Sequence, residues 1–144
     1  MDRRKLLKHL TYLIFFIFII NTLALKLYWY SLIWWFDMPM HFMGGFFIGL
    51  LWMFVFPPKD LSFKSILKII LGVLFIGILW EVFEVFLNNY TVQNPFDMID
   101  TLSDIFFDFV GGIFSFFYFS KRIINIKASP VGQEPTGYGR GKNV

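Results

Sequence analysis

"TLSDIFFDFVGGIF", residues 101–114, decides which solvent this chain is built for. Phe, Ile and Val dominate it as in a membrane span, yet Asp104 and Asp108 lie one helical turn apart inside it, with Gly111 and Gly112 just beyond. Carboxylates at that spacing share one face of a helix. Turned toward lipid, such a face would cost several kcal/mol, so a span carrying it must aim it inward, at other polar groups or at water.

The rest of the chain favours lipid. Of 144 residues 57% are hydrophobic, 22% aromatic and only 16% charged, with a mean hydropathy of +0.63. A soluble domain carries about a quarter charged residues, and too little polar surface remains here to cover a water-soluble globule. The reading is all-α: an integral membrane bundle of four transmembrane helices within residues 1–126, with spans at about 10–25, 36–56, 66–86 and 101–119. Each is near the roughly 20 residues that cross a bilayer as a helix. Pro57 and Pro58 stop the second span by removing N–H donors and fixing φ. Residues 127–144 turn rich in Gly and Pro and read as a disordered cytoplasmic tail. The basic start "MDRRKLLKH" followed by an apolar run resembles a signal peptide, but no A-x-A-like site follows and the run is long, so a retained anchor is expected. Cysteine is absent, which excludes disulfides and thiolate metal sites.

Charge sets the expected orientation. Of the 13 basic residues, all but Lys26 fall beside the N-terminus, the second connection or the C-terminal end. By the positive-inside rule both termini are then cytoplasmic, in the cell membrane. Trp29, Trp34, Trp35 and Trp80 fall near the outer interface, where an aromatic belt would sit. Basic residues that flank spans act as topology signals and give no reason to expect nucleic acid.

The acids gather at the opposite end. Asp37 and His41 are four residues apart, Glu81 and Glu84 three, and Asp100, Asp104 and Asp108 four each, so each helix presents its set on one face. Asp97 reads as an ordinary loop acid, and His9 as an interfacial residue. Gly44 and Gly45 follow His41 by about one turn, Gly77 precedes Glu81 by one, and Gly111 and Gly112 follow Asp108. Small residues let helices approach closely in lipid. The expected result is an outward polar cup above a floor of packed glycines, with Asn21 completing the wall.

Such a cluster cannot keep every carboxylate ionised without shared protons, a bound cation or a cationic partner. Oxygen ligands suit Mg²⁺, Ca²⁺ or Mn²⁺, and His41 adds Zn²⁺. Asp37, His41, Glu81, Glu84, Asp100, Asp104 and Asp108 are the candidate ligands, although their spacing matches neither H-E-x-x-H nor an EF-hand loop. Taken singly, His41 reads better as a buried histidine bonded to Asp37 than as a ligand, and only its place in the cluster brings the two readings level; Glu84 alone reads as a side chain reaching for the interface.

"FDMPMHFMGGF" resembles the D-x-x-x-H-F opening of VanZ-like membrane proteins, and "DTLSDIFFDFVGGI" their later D-x-x-x-[ND]-x-x-G element. Trp80, Glu81 and Glu84, followed by Asp100 to Asp104, are closer to the related YjdF-type inner-membrane proteins. The resemblance spans roughly residues 30–120 and implies that Asp37, His41, Glu84, Asp104 and Asp108 occupy the family's polar positions and Gly111 its glycine position. VanZ-like proteins are associated with resistance to the glycopeptide teicoplanin. The chain departs from that pattern at Glu84, where E-x-x-Q is common, and in lacking an arginine between the third and fourth spans.

The leading expectation is therefore a multi-pass protein whose cup binds a cation, and through it the head group of a lipid or lipid-linked envelope precursor. No obvious nucleophile and base pair is present, so the sequence leaves catalysis open. A proton or cation transport unit is the alternative, and it would need a homo-oligomer to supply a polar path through the inner halves of the spans. A non-catalytic assembly partner is the third.

Overall fold

A computed structural model of the chain describes residues 3–58, 60, 62–87, 89–90 and 97–128, with side chains through 121. The described residues form five helices: α1 (Arg3–Lys26), α2 (Trp29–Leu32), α3 (Asp37–Val55), α4 (Phe63–Leu87) and α5 (Met98–Ala128). Four of them, all but α2, are long and apolar enough to cross a membrane. The residues beyond Ala128, read from sequence as a tail, lie outside the described part, as does the connection 91–96.

Local chemistry sets most of the helix ends. α1 starts at Arg3, a full turn and more before its apolar run, because Leu6 and Leu10 bury one stripe of the basic segment. Within α1, Thr11 and Thr22 donate back to the carbonyls of Leu7 and Phe18 at 3.0 and 2.7 Å, so their hydroxyls are satisfied inside the helix. Tyr28 takes a left-handed conformation (φ 56°) where the chain leaves α1 for α2. α3 tolerates Pro39 in its first turn, where the N–H has no intrahelical partner to lose, and it ends ahead of Pro57. Before α4, Asp60 Oδ1 accepts from the Ser62 amide (3.2 Å) and from the hydroxyls of Ser62 (2.6 Å) and Ser65 (2.9 Å). Those donors hold its carboxyl below the usual range. Asp97 caps α5, accepting from the amides of Ile99 (2.9 Å) and Asp100 (3.4 Å). The loop acid is thus a structural one. α5 runs on past position 119 through residues 127 and 128.

The helices alternate in direction, so one end of the bundle is basic and the other acidic. α5 packs most extensively on α3 and also on α4, while α1 lies against α3. The apolar core is concentrated toward the basic end, where Leu6, Leu10, Leu50, Met53, Ile69 and Val73 meet Phe116 and Phe119. Between core and acidic end lies a layer of close backbone contact. A Cβ on Gly45 would fall on the backbone carbonyl of Asp108, and one on Gly111 would fall on the Phe42 carbonyl and the Phe46 amide. Gly49 and Gly72 also leave no room for a Cβ, against the side chains of Ser115 and Trp52, and neither stood out in the sequence. Gly44 differs from its neighbour, since a Cβ there would make only an ordinary 3.8 Å contact with Asp108 Oδ1.

Candidate functional site

Above the glycine layer the inward faces of α3, α4 and α5 converge on one imidazole. His41 Nε2 lies 3.7 Å from Asp37 Oδ1, 3.8 Å from Glu81 Oε1 and 3.9 Å from Asp104 Oδ2. On the other side of the ring, Nδ1 is 3.5 Å from Asp108 Oδ2, a long hydrogen bond. In the tautomer protonated at Nδ1 the ring donates to Asp108. Nε2 is left to face three carboxylates at distances too long for hydrogen bonds.

Backbone proximity produces this geometry. Gly45 and Gly111 bring α3 and α5 into contact beside Asp108, and Gly77 leaves the space on α4 that the Asp108 carboxylate occupies. A side chain at any of these three positions would displace the group that orients His41. Gly112, one residue further along α5, faces Val73 instead.

His41, Glu81, Asp104 and Asp108 are all buried, and Asp37 is partly exposed at the rim. Glu81 Oε1 and Asp104 Oδ1 are fully buried with no hydrogen-bond partner among the described groups. An unpartnered buried carboxylate oxygen costs about 1–3 kcal/mol or more. Two sets of possible ligand atoms lie within 4.8 Å of one another: His41 with Glu81 and Asp104, and Asp37 with His41 and Glu84. Asp100 belongs to neither set and stands exposed on the first turn of α5.

On the α1 side, the Tyr30 hydroxyl donates to Asn21 Oδ1 at 2.7 Å. Burial first, and then the carboxylates of Asp37 and Glu84, push the Tyr30 phenol up to about 12, so it remains a donor at any ordinary pH. Phe36 packs edge-on against both Trp29 and Tyr30, with ring centroids 5.4 and 5.2 Å apart, and so anchors α2 near the site. The role of α2 escaped sequence reading because four residues are too few to show a helical period.

Apolar helices in this number, enclosing a buried ring of acids, define a multi-pass membrane protein. The chain belongs to the family described as "Predicted membrane protein (DUF2238)", whose model matches residues 1–124. No curated protein and no solved structure matches the chain.

Proposed function

We propose that this membrane protein holds a divalent cation between His41 Nε2 and the carboxylates of Glu81 and Asp104, with Asp108 fixing the imidazole from behind and Asp37 at the rim. One observation carries the reading: Glu81 Oε1, buried without a donor, lies 3.8 Å from His41 Nε2, and Asp104, whose Oδ2 is 3.9 Å from the same nitrogen, has its other oxygen buried and unpartnered, while the second ring nitrogen already faces Asp108. Glu81 Oε1 and Asp104 Oδ2, 3.8 and 3.9 Å from Nε2, stand close to the ~3.3–3.5 Å expected between neighbouring ligands of a tetrahedral ion bonded at ~2.0–2.2 Å. The ligand atoms of His41, Glu81 and Asp104 all lie within 4.8 Å of one another, so the three side chains can close on one ion and leave a position open toward the cup. Asp108 then plays the part of the carboxylate that orients a metal-bound histidine through its second nitrogen. One imidazole with two carboxylates suits Zn²⁺ or Mn²⁺ better than Mg²⁺ or Ca²⁺.

The polar cup is read as opening to the outside of the cell membrane, with both termini in the cytoplasm and a lipid or lipid-linked head group as the molecule it serves. The VanZ-like and YjdF-type resemblance supports an envelope role of that kind. Equilibrium dialysis of the purified protein against Zn²⁺ or Mn²⁺ tests the cation directly. One ion per chain is expected, with at least a tenfold loss of affinity in His41→Ala, and wild-type protein that binds neither ion would end this reading.

Orientation has its own test, helped by the absence of cysteine. Met98 and Phe63 are exposed at opposite ends of the bundle. In intact cells an impermeant thiol reagent should label Met98→Cys and spare Phe63→Cys, following the asymmetry of basic residues. The reverse pattern would turn the acidic end toward the cytoplasm.

A further inference from the structure

A cleft of about 390 Å³ lies between α1, α3 and α4, beside the proposed cation site. Its deep wall is apolar, formed by Ile14 and Ile17 of α1, Ile48 of α3 and Ile76 of α4. Its upper end is polar: Asn21 and Tyr30 form a rim, and Asp37, His41 and Asp108 line the adjoining wall. From Asp37 down to Ile48, α3 descends about 16 Å at ~1.5 Å per residue. That is roughly half the ~30 Å hydrocarbon core, the depth of one leaflet.

The polarity of the cleft therefore runs the way a lipid's does. Apolar cavities do not fill with water, and a cleft of this size between the helices of a bundle falls within the range of ligand sites. Charge selects the head group. Asp37 and Asp108 face the cleft, and even with a divalent ion bound, the four carboxylates around His41 leave the polar end negative. A phosphate alone would be repelled there. A primary ammonium would be attracted, and its three N–H donors suit carboxylate acceptors.

We infer that the cleft between α1 and α4 binds the hydrocarbon chain of a membrane amphiphile whose amine-bearing head lies against Asp37 and Asp108. This names the ligand class of the proposed site and rests on that reading for the site it adjoins, while its charge comes from the carboxylates themselves, so the two are measured separately, the ion by dialysis and the lipid by mass.

The test uses full-length protein in nanodiscs of equal phosphatidylethanolamine, phosphatidylcholine and phosphatidylglycerol, with co-purifying lipid identified by native mass spectrometry. One retained lipid per chain is expected, with phosphatidylethanolamine enriched at least threefold over each of the others. Phosphatidylcholine lacks the N–H donors, and phosphatidylglycerol lacks the positive charge. The preference should hold with metal or with chelator, and Asp37→Asn should reduce it. Ile17→Trp and Ile76→Trp, on opposite walls, should each expel the lipid while leaving ion binding intact. Preference for phosphatidylglycerol, an unselective lipid complement, head-group preference unchanged in Asp37→Asn, or retention unchanged in both tryptophan variants would overturn the inference, whatever the outcome of dialysis.

Discussion

Zn²⁺ or Mn²⁺ at about 100 times its Kd is expected to stabilise the purified protein by ~2.7 kcal/mol, which corresponds to a rise of roughly 5–10 °C in thermal midpoint. A ligand that binds only the folded form must act in that direction, and in the unfolded chain the proposed ligands are scattered over three helices. Asp104→Asn should reverse the pattern. Without metal it removes one charge from a buried set of like charges and brings an amide donor into the same 4.8 Å group as Glu81, whose Oε1 has no partner. The apo protein should then be as stable as wild type or more so, by roughly 1–3 kcal/mol, the cost of leaving such a group unsatisfied. With metal the same variant should gain little. An Asp104→Asn protein that is less stable than wild type under chelator, yet still responds to metal, would show that Asp104 acts as a structural hydrogen-bonding group and not as a ligand.

Much of this arrangement is legible along the chain, because helical spacing and span length are local properties. Asp37 and His41, and likewise Asp104 and Asp108, had to share a face once the apolar runs around them formed helices. Which group lies at the centre was not legible. His41 and Asp108 are 67 residues apart, and only the rotation of α3 against α5 puts the imidazole between Asp108 on one side and three other carboxylates on the other. Asp100 continues the same spacing as Asp104 and Asp108 but sits one turn too near the helix start to join them. The cleft was invisible for a similar reason. It depends on how α1 and α4 both lean on α3, and no periodicity within either helix reports that.

The adjacent glycines of α3 show the same limit most sharply and give the second large effect. Gly44 and Gly45 are equivalent as sequence, and helix propensity alone would have Gly→Ala stabilise the protein at either position by up to ~1 kcal/mol. Neighbouring residues in a helix point about 100° apart, however, and only Gly45 faces the α5 backbone. An alanine Cβ there would meet the carbonyl of Asp108, which cannot rotate away as a side chain could. α3 and α5 would have to part, at a cost of ~1–3 kcal/mol for overpacking a tight contact, and Asp108 would draw back from His41 as they did so. Gly45→Ala is therefore expected to melt several degrees below wild type and to lose most of its response to metal. Gly44→Ala, with 3.8 Å to the nearest Asp108 oxygen, should melt at or slightly above wild type and keep that response. Thermal melts of the two variants with chelator and with Zn²⁺ make the comparison. If Gly45→Ala proved as stable and as metal-responsive as Gly44→Ala, α3 and α5 could not be in backbone contact at this level, and the support for the His41–Asp108 pair would go with it.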